Sequence, residues 1–219
     1  MAAAKQAILY GFAWSSCSWR VRAALHLKGI PYTEKHVDIM KNRTNLSDAF
    51  RKVNPAQKIP ALVIDDMTLV ESMAILQYLE ETRPSPRLTP HSLLQRIQMR
   101  EICETIVSGI QPLQNVGLKP HFASEAAFSQ FALHWTARGL RTLEALLRGS
   151  AGRCCVGDDV TMADLCLVPQ VYNAVIRYNH NISKYETVNK VYEYLLKQTF
   201  IEETHPLKVK EKATPETQA

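Results

Sequence analysis

A proline at the mouth of an apolar run constrains this chain more than any other feature. In Asn54-Pro55-Ala56-Gln57-Lys58-Ile59-Pro60-Ala61-Leu62-Val63-Ile64, Pro60 has no N–H to give to a sheet, so it fits only the first position of a strand. The bond after Ile59 is a candidate for the cis form. Asp65-Asp66 reads as a tight turn into Met67-Thr68-Leu69-Val70, which predicts a hairpin. Upstream, Ala7-Ile8-Leu9-Tyr10 reads as a strand. Cys17, Val21, Ala24, Leu25 and Leu27 then recur at near-helical spacing up to Lys28-Gly29, where glycine can take the left-handed position after a helix. Tyr32 to Val37 reads as a second strand and 45–53 as a short helix. Downstream, Glu71-Ser72 reads as the cap of a helix over 73–81, stopped before Pro84. The order is βαβαββα.

Pro84-Ser85-Pro86-Arg87-Leu88-Thr89-Pro90-His91 has the composition of an extended linker. Beyond it the patterns are helical: Ser92 to about Val116, Ser124 to about Arg148, Thr161 to about Tyr178, and Glu186 to about Thr199. Thr161-Met162-Ala163-Asp164 fits a capping box after the Gly157-Asp158-Asp159 turn. The expected division is 1–84, a linker 85–91, an all-helical part 92–207, and a polar, mobile tail 208–219.

Composition narrows the function classes. The 219 residues are 46% hydrophobic and 21% charged, normal for a water-soluble globular protein, and no apolar run approaches the roughly 20 residues that span a bilayer. Membrane insertion is therefore not expected. Five cysteines, Cys17, Cys103, Cys154, Cys155 and Cys166, form no CxxC pair and leave one over, which suits a reducing, cytoplasmic setting. No metal-ligand pattern is found. The net charge of +5 lacks a basic stripe with aromatic platforms, so nucleic acid is not an expected partner, whereas small acidic ligands are.

Ser15-Ser16-Cys17-Ser18-Trp19-Arg20-Val21-Arg22 carries the chemistry. Three hydroxyls and a thiol stand at a helix N-terminus, where free N–H groups and the positive end of the helix dipole favour an anion or a thiolate. Taken alone, the octapeptide is also an ordinary cap with a small buried cysteine.

A βαβαββα domain led by a strand-opening proline is thioredoxin-like, and followed by an all-helical part it has the α+β two-domain plan of the cytosolic glutathione transferases. Three stretches resemble the zeta class, whose best-known activity is maleylacetoacetate isomerase: the octapeptide, Gly109-Ile110-Gln111-Pro112-Leu113-Gln114-Asn115, and Val156-Gly157-Asp158-Asp159-Val160-Thr161-Met162-Ala163-Asp164. Similarity extends from about Ile8 to Pro206. The resemblance implies glutathione as cofactor, held by Glu71 and Ser72 at its γ-glutamyl end and by the backbone of Ile59 at its cysteinyl part. Ser15 donates to the sulfur, with Ser16 and Cys17 beside it as further catalytic candidates. Ser18, Trp19, Arg20 and Asn45 complete the glutathione set on the first domain. Gln111 and Asn115, read as one turn apart on the first long C-terminal helix, complete it on the second.

The implied reaction is cis-trans isomerisation of maleylacetoacetate to fumarylacetoacetate in tyrosine and phenylalanine breakdown, with a small acidic electrophile as substrate. Arg20 and Arg177 are the implied substrate cations. Arg177 departs from the family, whose arginine stands sooner after the pair matching Asn173-Ala174, and a one-residue shift rotates a helical position by about 100°. Two other departures edit the rim: Trp14 stands where an arginine is usual, and the glycine-rich segment near 42–45 is missing. Conjugation of α-halo acids, and a non-catalytic association module, are the competing readings. The family plan also implies a homodimer.

Overall fold

The computed structural model describes residues 6–212. Backbone contacts divide it into two units: the described residues up to Pro86 together with those from Thr199 onward, and Arg87–Gln198. The first is built on β1 (Ala7–Gly11), β2 (Tyr32–His36), β3 (Ala61–Ile64) and β4 (Met67–Val70), in spatial order β2-β1-β3-β4. β1 and β2 run parallel, whereas β3 is antiparallel to both β1 and β4. The βαβαββα expectation is met, with α1 (Ser16–Leu27) and α2 (Asp48–Val53) between strands and α3 (Ser72–Thr82) after β4.

Alternation along β1 assigns the faces. Ala7, Leu9 and Gly11 are buried, and Leu9 packs with Val21 and Leu25 of α1 and Ile75, Leu76 and Leu79 of α3 in a core where each of these six is fully enclosed. Burying one such side chain is worth about 1.5–3 kcal/mol. The alternate residue Tyr10 points to the other face, where its ring meets Phe50 of α2 at 6.0 Å. Turn chemistry closes the elements as the sequence predicts. Gly29 takes φ +62° after α1, and Asp65 and Asp66 take φ 51° and 59° between β3 and β4, the conformation a two-residue hairpin demands.

Two boundaries differ from expectation. The segment after Thr199 belongs with the first unit, not with the helices before it, because Trp19 of α1 anchors it. The Trp19 indole donates to Thr204 Oγ1 at 2.9 Å, and its ring stands edge-on to His205 at 5.3 Å. Helix α8 (Thr199–Glu202) is followed by α9 (Pro206–Lys212), so residues 208–212, read as the start of a mobile tail, are helical, while 213–219 lie outside the described residues.

The second unit holds α4 (Leu93–Val107), α5 (Glu125–Arg148), α6 (Met162–Tyr178) and α7 (Glu186–Leu196). The capping box is present: Asp164, fully buried, accepts from the Thr161 N–H at 2.7 Å and the Cys155 N–H at 2.7 Å. Burial pushes its carboxyl up despite those bonds. Helix α7 has no cap of its own and takes one from α5, where Glu144 accepts from the N–H groups of Thr187 and Val188, each at 3.0 Å, and from Thr187 Oγ1 at 2.9 Å.

Burial pushes the Glu144 carboxyl up, but the amides of Val188 and Thr187 outweigh it and hold it below the ordinary value. Its stabilising contribution is therefore full above the usual glutamate range and lost as pH falls through the lowered value. Glu144→Gln is expected to cost about 1 kcal/mol at neutral pH, in the range for caps and helix-end charges. In urea titrations the gap to the parent closes at acid pH; a gap of constant size would assign the effect to shape rather than charge.

Candidate active site

Strand register gathers the candidate residues of the first unit at one end of the sheet. Ala61 pairs with Tyr10 on one side and Val70 on the other. Running these registers two residues further sets Phe12, Ile59 and Ser72 side by side beyond the strand ends. The β1–α1 turn, the Ile59-Pro60 loop and the start of α3 therefore converge. The Ile59-Pro60 bond is cis, and β3 begins only at Ala61, so Ile59 stands ahead of the ladder with its backbone outside the strand pairing.

The turn that opens α1 is tied at each residue. The Ser15 N–H donates to Phe12 O at 2.9 Å, the Phe12 N–H to Ser18 Oγ at 3.4 Å, and Ser15 Oγ accepts from the Ser18 N–H at 3.2 Å. Ser15 is thus the N-cap, as its residue type favours, and it does so with a lone pair, leaving its proton free to donate outward. Ser15 and Cys17 are half-buried, Ser16 is nearly covered, and Ser18 and Trp19 are enclosed. Ser18 therefore holds the turn and Trp19 anchors the C-terminal segment.

Arg20 joins the two helix starts. Its side chain is 1% exposed, and Nη1 lies 3.2 Å from Ser72 Oγ and 3.7 Å from Cys17 Sγ. The structure gives Arg20 to the interior, where it fixes the Ser72 hydroxyl and adds positive charge to the thiol side; a direct clamp on a substrate carboxylate is not the geometry seen. Neither α1 nor α3 carries an acidic residue in its first turn. Apart from the exposed Glu71 at the α3 cap, neither first turn holds a negative side chain, which favours an external anion there.

Glu71, not Ser72, is the N-cap of α3, with φ 66° and ψ 115° and no side-chain cap bond. A non-glycine residue held at positive φ is strained, and such strain collects at binding sites. The conformation leaves the Glu71 side chain exposed while Ser72 Oγ turns to Arg20. Asn45 stands in a 3-10 turn, Thr44–Leu46, and donates to Gln57 O at 3.0 Å, which ties that turn to the loop leading to Ile59.

The remaining candidates lie in the second unit, where one expectation fails. Helix α4 ends at Val107, so Gln111 and Asn115 are not a helical pair one turn apart. Gln111 opens a 3-10 turn, Gln111–Gln114, with Pro112 as its second residue, and Asn115 follows it and caps the next 3-10 turn by accepting from the Gly117 N–H at 2.9 Å. Pro112, five residues past Val107, has no N–H to carry a helical ladder through this stretch, and that signal was present in the sequence. The Tyr178 hydroxyl donates to Gln114 O at 3.1 Å, which brings the end of α6 to this segment. Arg177 beside it is exposed, its guanidinium 5.7 Å over the Tyr178 ring.

Comparison with known proteins matches this arrangement. Residues 14–82 match the glutathione S-transferase N-terminal domain. A maleylacetoacetate isomerase of Mus musculus is 44% identical over 200 residues, 91% of this chain and 92% of that one. A holo maleyl pyruvate isomerase, a bacterial zeta-class glutathione transferase, superposes with a TM-score of 0.87 at 34% identity, covering 92% of this chain and 97% of that one. This chain belongs to the zeta class of glutathione transferases. Its likeness also includes a maleylacetoacetate isomerase from Anaeromyxobacter dehalogenans with glutathione in the active site, at TM-score 0.81 and 34% identity over 97% of this chain and 98% of that one.

Sequence reasoning missed two residues that support the zeta-class turn, Arg22 and Glu34. The signal for Arg22 was an arginine inside an otherwise apolar helix face. For Glu34 there was only its place in a short strand.

The strain at Glu71 yields a test. Replacing a residue at positive φ with glycine removes a cost of about 1–3 kcal/mol against a chain-entropy penalty of about 0.5–1. Glu71→Gly is expected to raise the thermal midpoint while weakening glutathione binding, measured by calorimetry; a lowered midpoint would contradict the strained reading.

Proposed function

We propose that the chain catalyses glutathione-dependent cis-trans isomerisation of maleylacetoacetate to fumarylacetoacetate, the reaction of tyrosine and phenylalanine breakdown. The observation that supports it most is Ser15, a cap whose proton is free to donate, at an anion-favouring helix start that Arg20 links to Ser72. In this reading Glu71 and Ser72 hold the γ-glutamyl end and Ile59 the cysteinyl part, and Ser15 donates to the sulfur with Ser16 and Cys17 alongside.

The thiolate adds to the conjugated double bond, forming a C–S bond while the electron pair moves into a dienolate. The former double bond, now single, rotates. Collapse of the dienolate expels the thiolate and restores the alkene in its trans form, so glutathione is not consumed. A free thiol of pKa ~8.5 is about 3% ionised at pH 7, and a two-unit depression gives roughly 75%, some 25-fold. Lower basicity takes back roughly 6- to 10-fold of that. Most of the acceleration must therefore come from alignment of the sulfur with the alkene and stabilisation of the dienolate.

One observation favours conjugation of small α-halo acids as a second reading. Arg177 rests over Tyr178, and Ile176 beside it is 58% exposed, so this end of α6 presents an apolar side chain as well as a cation. We also propose a cytoplasmic homodimer. Leu93, Leu94 and Ile97 at the start of α4 are 65%, 67% and 42% exposed, three large apolar side chains of one helix left to solvent.

Ser15→Ala is expected to lower turnover of maleylacetone by roughly 10²-fold, the size typical for removal of one preorganised donor. Glutathione binding by calorimetry should change little; wild-type turnover in that variant would sink the role given to Ser15. Arg177→Ala raises KM if Arg177 holds the substrate carboxylate, and an unchanged KM would favour the halo-acid reading. Leu94→Glu with Ile97→Glu should sediment as a monomer, and a persisting dimer would remove α4 from the interface.

A further inference from the structure

A second arginine, fully enclosed, is directed at the active-site turn from below. Arg22 lies one turn into α1 beyond Cys17 and is 0% exposed. Its Nη2 donates to Ala13 O at 2.7 Å, a short charge-assisted bond to the residue two before Ser15. Beside it on the same guanidinium, Nε faces Glu34 Oε2 at 3.8 Å. Glu34 is on β2, paired in register with Leu9 of β1, so its backbone is placed by the sheet itself. It stands so close to the strand end that a Cβ on Gly11 would lie 2.6 Å from Glu34 Oε1 and 3.3 Å from Ser18 Oγ. Only glycine leaves room for both.

A buried arginine–glutamate pair is weak as a stabilising device, since desolvation offsets most of the attraction and apolar replacements of equal volume are often as stable. Its retention beneath a catalytic turn calls for another account. The planar guanidinium offers donors in two fixed directions, which a lysine cannot. Here one direction is set by the sheet and the other by the turn.

We propose that Arg22 and Glu34 are positioning residues for the reaction: the pair transmits the placement of the sheet to Ala13 O and thereby sets where Ser15 Oγ stands relative to the glutathione sulfur. The inference rests on the reading of Ser15 as the partner of the thiolate. The line of force is short. Glu34 attracts Arg22 across 3.8 Å without a hydrogen bond, Arg22 holds Ala13, and the chain reaches Ser15 two residues later, already tied to Ser18 and Phe12. The residues assigned to the rest of glutathione, Ile59, Glu71 and Ser72, sit on β3-side and α3-side segments that neither Arg22 nor Glu34 touches in this network. Loss of the pair should thus disturb the sulfur and spare the tail.

The test uses Arg22→Met, which keeps the volume and removes the fork, and Glu34→Gln, which keeps the shape and removes the charge. Two readouts separate positioning from mere structure: the pH titration of bound glutathione, followed by thiolate absorbance, and kcat against glutathione Kd. In Arg22→Met the titration midpoint moves up, and kcat falls about 10²-fold, the size of a one-ångström misplacement, with Kd within about threefold. Glu34→Gln moves both in the same direction by a smaller amount. If kcat and Kd worsen together with the midpoint unmoved, or if both folded variants behave as the parent, the inference is overturned. Should Arg22→Met fail to fold, Glu34→Gln decides by the same readouts. The titration needs glutathione alone, so absence of isomerase turnover in the parent would overturn the proposed reaction while the midpoint shifts still judge the pair.

Discussion

Everything proposed for this chain depends on two helices that begin at the same end of one small sheet with their first turns free of acidic side chains. The backbone N–H groups at those starts are directed donors that no intrahelical carbonyl can satisfy. Sheet register brings them within reach of one buried guanidinium, that of Arg20, which sits 3.2 Å from Ser72 Oγ at the second helix and 3.7 Å from Cys17 Sγ at the first. An anion with a carboxylate at one end and a thiolate at the other would meet both helix starts. The strained backbone of Glu71 and the cis bond before Pro60 belong to the same end of the sheet.

Rigidity around the reacting atom follows from buried charge more than from apolar packing. Arg20 and Arg22 are enclosed although their desolvation is costly, and both make bonds that converge on the serine-cysteine turn or its partner helix. The same economy appears in the helical unit, where Asp164 and Glu144, both buried, cap α6 and α7. Carboxylates serve those two helix starts, whereas the first turns of α1 and α3 carry none.

Much of this was legible in the residues. Pro60, the Asp65-Asp66 turn, Gly29 and the Thr161 to Asp164 box each have a local backbone reason, and each is found where its chemistry demands. The serine-cysteine octapeptide announced a helix start suited to anions, though only the coordinates separate Ser15 as the cap from Ser18 as a buried strut. What was not legible came from contacts distant in sequence. Trp19 recruits Thr204 from 185 residues away, so the C-terminal segment joins the first unit. Arg22 finds Glu34 across a strand, and no periodicity in a five-residue strand signals a buried carboxylate. The misplaced helix end before Gln111 had a local signal, Pro112, outweighed by apolar spacing that continued through Ile110 and Leu113.

Glutathione accounting tests the central claim most directly. Maleylacetoacetate would be turned over many times per enzyme in the presence of a limiting amount of glutathione, with the alkene geometry followed by proton resonance and free thiol titrated at the end. A thiolate that adds, waits for bond rotation and leaves predicts complete conversion to the trans product with the free thiol undiminished. Conversion that stops when one equivalent of thiol has been consumed, leaving a stable thioether, would contradict the isomerase account and identify a conjugating transferase instead.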